Sequence, residues 1–315
     1  MIRIRILEFA CFLKSSSTNK EYYMMHNNAH IIEYFFPEMQ YILVDASEEA
    51  DMCLTSVFME DNSMLRNNEI NVFISIENLT NKQFNWYNHY NTYGEFNDDK
   101  INLYIYSHID KIIENANFLA IPCIYTRINY FKKTYGYYFN HTQLNTSFNE
   151  KKFCLMINKS GINPEITHIK NILNKIDTVD SIFDYHNIND KSCYNSLEFL
   201  EVLNKYKFII CFENSSNDGY ITEKIFNCFF SKTIPIYWGS LKCKNYFNEN
   251  SFLHYNDNLE ELLIQINNLN NNQDLYDKYI NNNKISDNYD DQNYSEKMLN
   301  FIEDCTKNKK AIINE

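Results

Sequence analysis

Short apolar runs that break off at clusters of Asn, Ser, Asp and Gly alternate along the chain with stretches whose apolar residues return every three to four positions. The first pattern predicts buried strands and the second amphipathic helices. The clearest instance is the stretch from Tyr206 to Ser240. Lys207 to Phe212 is an apolar, β-rich run that ends at Glu213 and Asn214 in a polar cluster. Ile221, Ile225, Phe226, Phe229 and Phe230 then recur at helical spacing, and Ile234 to Trp238 forms a second apolar strand closed by Gly239. Strand, loop, helix and strand make one βαβ unit, whose natural setting is a parallel sheet.

The same alternation extends in both directions. The N-terminal run MIRIRILEFACFL predicts a first strand, followed by a helix with an aromatic face over Asn28 to Phe36. Further strands are expected at Tyr41 to Val44, Ala50 to Val57, Asn71 to Ile76, Leu103 to Tyr106 and Phe118 to Ile121. After a polar linker over Asn140 to Lys152, the run FCLMINKS predicts a strand. Glu165 to Ile176 follows as a helix with Ile166, Ile169, Ile172 and Leu173 on one face. Leu259 to Leu269 and Gln273 to Asn281 read as surface helices, Ser295 to Asp304 as a terminal helix and Lys307 to Glu315 as a frayed end. The domains implied are 1–145, 146–285 and a tail at 286–315.

In an open parallel sheet a ligand lies beyond the carboxyl ends of the strands, so Glu213, Asn214, Tyr220, Glu223 and Lys224 fall where a bound molecule would be. A helix start offers unpaired N–H groups and a positive dipole end, which suits a phosphate, and Lys224 adds a full charge there. Glu223 would accept hydrogen bonds from sugar hydroxyls. On pattern alone, capping and solvent-facing charge are the commoner roles of Glu and Lys in a first helical turn.

The string FENSSNDGYITEKI followed by FSKTIPIYWGS resembles the donor-binding signature of the α1,3/4-fucosyltransferases, particularly the bacterial type. The likeness runs back through Phe199 to Tyr206 and on through Phe247 to Tyr279, covering the C-terminal half well and the N-terminal half in patches. It implies an α/β fold of GT-B type, two Rossmann-like domains facing each other across a cleft, with GDP-fucose held mainly by the second. The tail would then cross back to the first domain. Asn214, Tyr220, Glu223 and Lys224 match the family's donor contacts. VFISIENL resembles the strand-Glu-Asn segment that carries the presumed base, which makes Glu77 the candidate to take the proton from an acceptor hydroxyl; a helix cap or salt bridge is its plainer reading. NFLAIPCIYTR resembles the segment closing the first domain, with Arg127 at the family's Arg, where a structural salt bridge suffices.

One departure stands out. The family has Ser-Asn and, several residues later, an Arg on the pyrophosphate. Asn158 can stand for the Asn, but Asn163, Pro164 and Glu165 occupy the region of the Arg, so Lys159 or Lys170 must supply the charge. A lysine gives a point charge where an arginine gives a bidentate fork. The resemblance implies inverting transfer of fucose from GDP-fucose to a glycan acceptor, α1,3 or α1,4 to a GlcNAc-type sugar. The alternatives are a glycosyltransferase using another nucleotide sugar, and a non-catalytic nucleotide-sugar or glycan-binding protein.

Composition narrows the partners. With 44% hydrophobic and 16% aromatic residues against 5 Gly and 4 Pro, the 315-residue chain describes compact globular domains. A net charge of −12 without a basic stripe argues against nucleic acid. The nine cysteines are scattered, without a CxxC pair or metal-ligand spacing, so reduced buried thiols are expected. No carboxylate pair ends a strand, Asp98-Asp99 sits in a polar loop, and His26, His89, His108 and His254 are isolated; no metal or other cofactor is expected. Arg3, Arg5 and Glu8 interrupt the N-terminal apolar run, so no signal peptide or membrane span is expected. The acceptor patterns Asn78-Leu79-Thr80 and Asn214-Ser215-Ser216 fall in the proposed active site, where a glycan would obstruct it. The expectation is a soluble protein of the cytoplasm, at most peripheral to a membrane.

Overall fold

The computed structural model describes residues 2–7, 39–56, 62–75, 100–106, 118–135, 144–158, 164–184, 197–216, 219–255, 258–289, 294 and 296–304. The chain divides into two compact units, Met1–Thr134 with Asp290–Glu315, and Tyr135–Tyr289. Each is built on its own parallel sheet.

In the first unit the strands are β1 (Ile2–Ile6), β2 (Tyr41–Leu43), β3 (Met52–Ser56), β4 (Ile70–Ser75), β5 (Leu103–Tyr106) and β6 (Phe118–Ala120), followed by helix α1 (Cys123–Tyr135). Their spatial order is β2-β1-β3-β4-β5-β6 and all pairings are parallel. Parallel strands need covered faces, which is why their cores read as unbroken apolar runs. Ile4, Leu54, Val72, Leu103 and Ile105 are buried in one cluster with Tyr125 of α1 and with Met298 and Ile302. The helical residues 296–304 thus belong to this unit's core. A buried pair, Arg5 with Glu69, ties β1 to the start of β4, and Arg5 also donates to the carbonyls of Ala46 and Met64. Here burial opposes the Arg5 guanidinium most, but the hydrogen bond to Glu69 together with the fields of Cys53 and Glu69 outweighs it and raises its pKa.

The second unit contains β7 (Lys152–Met156), α2 (Pro164–Leu173), β8 (Val179–Ser181), α3 (Leu197–Asn204), β9 (Tyr206–Phe212), α4 (Glu223–Phe230), β10 (Ile234–Trp238), α5 (Cys243–Tyr246), β11 (Leu253–His254), α6 (Leu259–Asn271) and α7 (Gln273–Asn281). The sheet order is β11-β10-β9-β7-β8, again all parallel. Alternate residues of β9 serve opposite faces. Phe208, Ile210 and Phe212 join Ile166 and Ile169 of α2, Leu262 and Ile266 of α6 and Tyr276 of α7. Ile209 and Cys211, equally inaccessible, face the side on which α3 and α4 pack.

Several sequence expectations shift. The helix expected to reach Ile176 ends at Leu173, because the Asn174 side chain accepts from Val179 N at 2.9 Å and turns the chain into β8. The polar stretch read as a linker is folded from Leu144 onward. Glu150 closes a turn on Ser147, Lys151 is buried and Lys152 opens β7. Lys151 Nζ donates to the carbonyls of Asn204, Tyr206 and Lys232, and burial together with Lys232 pulls its pKa down to about 7. The helix expected over Asn28 to Phe36 lies outside the described residues.

Candidate functional site

The order of the second sheet places a reversal between β7 and β9: from β7 the chain goes outward to β8, then returns to the other side of β7 to build β9, β10 and β11. Such a switch point opens a crevice at the carboxyl ends of the two strands, where open α/β sheets bind their ligands. Asn158, just past β7, is buried there. Its side chain donates to Phe212 O at 2.7 Å and accepts from Phe212 N at 3.3 Å, clasping the ends of β7 and β9 together. Expected as a donor contact, Asn158 here also holds the ends of the two strands together through its bonds to the Phe212 backbone.

Directly after β9 comes Glu213, whose side chain has no solvent exposure although it is a carboxylate. A buried carboxylate is tolerated only when fully paired, and three donors converge on it. Thr222 N lies 2.7 Å from Oε1, Thr222 Oγ1 2.7 Å from Oε2 and Lys224 Nζ 3.1 Å from Oε2. Lys224 Nζ also donates to Thr222 Oγ1 at 3.0 Å. The Lys224 side chain keeps 16% exposure while its partner has none. Burial opposes the ammonium, but Glu213, with Glu223 and Tyr220 behind it, outweighs burial and holds the Lys224 pKa well above the ordinary lysine value. Lys224 is thus a permanent cation at this corner.

Thr222 occupies the N-cap position of α4 but makes no side-chain cap, because its hydroxyl is turned to Glu213. Thr222 thus does not cap the start of α4, whose dipole end favours an anion. Glu223, the first residue of α4, is partly exposed; Tyr220 is buried at 2% exposure; Asn214 is partly exposed beside Glu213. Gly219 takes a positive φ of 77°, open to glycine at no cost, and its N–H donates to Ser240 Oγ, which ties the loop before α4 to the end of β10.

The geometry thus brings Asn214, Tyr220, Glu223 and Lys224 to one corner, with Asn158 at the adjacent crevice. Glu77 and Lys159 lie outside the described residues. Lys170 sits in the last turn of α2. That helix returns from the carboxyl edge of the sheet, and Lys170 stands about 9 Å along it from Pro164. The first turn of α2 instead carries Glu165, bonded by Tyr255 Oη at 2.8 Å.

Sequence reasoning named Glu213 as a crevice residue without seeing that it is the hub. The signal available was a carboxylate directly after a fully apolar strand. It also missed Gly239. A Cβ there would stand 2.5 Å from Tyr237 Oη and 2.7 Å from Glu213 Cγ, so only glycine lets these side chains approach. Among the described residues no group of three or more His, Cys, Asp or Glu side chains could hold a metal ion, and no helix is long and apolar enough to cross a membrane.

Residues 146–312 match the family model described as "Glycosyltransferase family 10 (fucosyltransferase) C-term". An alpha-(1,3)-fucosyltransferase of Helicobacter pylori is 28% identical over 211 residues, 58% of this chain and 44% of that protein. The human 4-galactosyl-N-acetylglucosaminide 3-alpha-L-fucosyltransferase 9 is 32% identical over 141 residues, 42% of this chain and 37% of that protein. The chain thus spans less than half the length of these curated relatives. Among solved structures, an alpha1,3-fucosyltransferase superposes with a TM-score of 0.68 at 22% identity, covering 97% of this chain and 90% of the other. An alpha1,3-fucosyltransferase with GDP-fucose superposes with a TM-score of 0.62 at 21% identity. These likenesses, with the two parallel-sheet units, give the fold as the GT-B type.

Proposed function

We propose, for a chain that belongs to glycosyltransferase family 10, the fucosyltransferases, that it moves fucose from GDP-fucose to a hydroxyl of an acceptor glycan with inversion at the anomeric carbon. The observation that carries this reading is the corner after β9. A lysine held charged by a buried carboxylate stands beside a helix start without a side-chain cap, an arrangement suited to the diphosphate of a nucleotide sugar. Lys224 and the N–H groups of α4 would stabilise the negative charge that grows on departing GDP, and Glu223 and Asn214 are placed to accept from or donate to the sugar and phosphates. Glu77 is the proposed base, taking the acceptor hydroxyl's proton as the new bond forms. The catalytic contribution is positioning and electrostatics. No metal is needed in this scheme.

The acceptor we propose is an oligosaccharide or glycoconjugate with a GlcNAc-type sugar, linked α1,3 or α1,4. The buried cysteines Cys53, Cys123, Cys154, Cys211, Cys228 and Cys243, none of them in a disulfide, support a reducing compartment, the cytoplasm. The deciding experiment is turnover of GDP-fucose with N-acetyllactosamine, its isomer and simple monosaccharides, alongside a panel of other sugar nucleotides. Fucose transfer to one of them is expected, and transfer from a different nucleotide sugar alone would overturn the donor.

A second reading has its own support. Residues 146–315 contain no arginine, and the first turn of α2 carries the carboxylate Glu165. A protein that binds the nucleotide sugar without turning it over would bind GDP in calorimetry and give no product with any acceptor.

A further inference from the structure

We propose that Glu213 is a positioning residue of this site: through its buried contacts to Thr222 N, Thr222 Oγ1 and Lys224 Nζ it fixes the lysine ammonium and the start of α4 in the geometry that receives an anion. The inference rests on the donor reading above for its functional consequence, though not for its geometry. An ammonium has three N–H donors. Among the described residues Lys224 spends one on Glu213 Oε2 and one on Thr222 Oγ1, which leaves the third for a ligand. The lysine's freedom is lost on folding rather than on binding, so the ligand meets a cation already in place. Thr222, its hydroxyl drawn onto Glu213, makes no side-chain cap on α4.

Glu213 is itself held from behind. Its N–H donates to Trp238 O at 2.8 Å, and the bare Cα of Gly239 and the Tyr237 hydroxyl, buried and without a hydrogen-bond partner, crowd its methylene groups. The carboxylate has one place to be, and the lysine follows it. Among the described residues the ionisable groups around this pair are Glu223 and Cys228 on α4, Tyr220 before it, Tyr237 on β10, Cys211 on β9 and Cys243 on α5. All are anionic or neutral, and Glu213 is the group in direct contact with the ammonium. Without it, burial acts on Lys224 with far less opposition, and its pKa falls.

The test is Glu213→Gln, which keeps the shape but cannot hold three donors. Lys224 is labelled with acetic anhydride across pH and read by mass spectrometry, and GDP binding is followed by calorimetry over the same range. In the wild type, labelling of Lys224 is expected only at strongly alkaline pH and GDP affinity to stay flat from about pH 7 to 9. In Glu213→Gln the labelling onset should fall into the range of about pH 7 to 9. GDP affinity should then weaken about tenfold or more across that range, and Glu213→Gln/Lys224→Arg should restore the flat profile because a guanidinium stays charged. If Glu213→Gln does not fold, Glu213→Asp serves: it keeps the charge but shortens the arm, so the labelling onset should stay alkaline while GDP affinity drops. A lowered melting temperature with both pH profiles unchanged, or an Asp variant with wild-type GDP affinity, overturns the proposal. A wild type that fails to bind GDP overturns the donor reading alone, since the labelling profile still decides whether Glu213 sets the state of Lys224.

Discussion

Gly239→Ala is a stringent probe of the packing behind the site, because one methyl group meets two side chains of opposite character. The new Cβ would stand 2.5 Å from Tyr237 Oη and 2.7 Å from Glu213 Cγ, about 0.9 Å and 0.7 Å inside the 3.4 Å at which ordinary contact begins. Tyr237 is fully buried on β10, so its ring has little room to retreat. Glu213 can give way only by stretching its bonds to Thr222 and Lys224. Overpacking of this kind costs about 1–3 kcal/mol. For a unit of 155 residues, Tyr135–Tyr289, that corresponds to a fall in melting temperature of roughly 3–10 °C. Differential scanning calorimetry measures it. Because the Tyr237 hydroxyl is buried without a partner, Tyr237→Phe alone should be neutral or slightly stabilising. In the double variant the vacated space lets the ring move, recovering about 0.5–1 kcal/mol of the loss. The ring Cζ, 2.9 Å from the added Cβ, and Glu213 Cγ remain close, so recovery is partial. A Gly239→Ala protein as stable as wild type, or strictly additive single and double variants, would refute the reasoning.

Lys224→Ala should lower kcat/KM for GDP-fucose about a hundredfold, the scale of 2–3 kcal/mol lost with a charged contact, and its donor kinetics check this. Glu77→Gln should leave GDP binding within a few-fold of wild type while transfer falls by roughly 10²–10⁴; retained transfer with a lowered melting temperature would move the base elsewhere. Treatment with EDTA should leave transfer intact, and metal-reversible inhibition would contradict the electrostatic mechanism. Lys151 has its pKa lowered by burial from 10.5 to about 7, so between those values the unfolded chain binds more protons than the folded one. Stability should therefore rise with pH from about 7 upward, by up to about 1.4 kcal/mol per unit from this group; Lys284, also lowered to about 7, adds in the same direction. Denaturant midpoints at pH 7 and 9 should show a smaller slope for Lys151→Met than for the wild type.

What the sequence disclosed follows from where each signal is local. Lys207 to Phe212 and Ile234 to Trp238 were legible because strands buried on both faces are apolar without interruption, and both emerge within one residue of their observed bounds. Edge strands gave no such run: Val179–Ser181 and Leu253–His254 hold three and two residues, too few for any period to register. The helix Leu197–Asn204 follows a stretch of polar residues and escaped notice although its Phe199, Leu200 and Leu203 are buried at helical spacing. Lys151 was hidden for a different reason. A lysine in a run of Asn, Thr, Ser and Lys reads as solvated linker, and only the three carbonyls that converge on its ammonium explain its burial.

The site divides in the same way. Lys224 and Glu223 could be placed from sequence because a helix start after a strand and a polar loop is a local feature, which the literal match to a known signature reinforced. The partner that gives Lys224 its character is eleven residues away, and Asn158 meets Phe212 across 54. Neither pairing has a sequence period, since both arise from the order in which the strands are laid side by side. The reversal between β7 and β9 brings Asn158 to the end of β9, and the return of the chain through α4 brings Lys224 over Glu213. A buried acid directly after a buried strand is therefore the more general clue than either charged residue of the helix. Such a carboxylate must find its donors among the residues that the crossover returns to it, and here the crossover returns a threonine and a lysine from the start of the next helix.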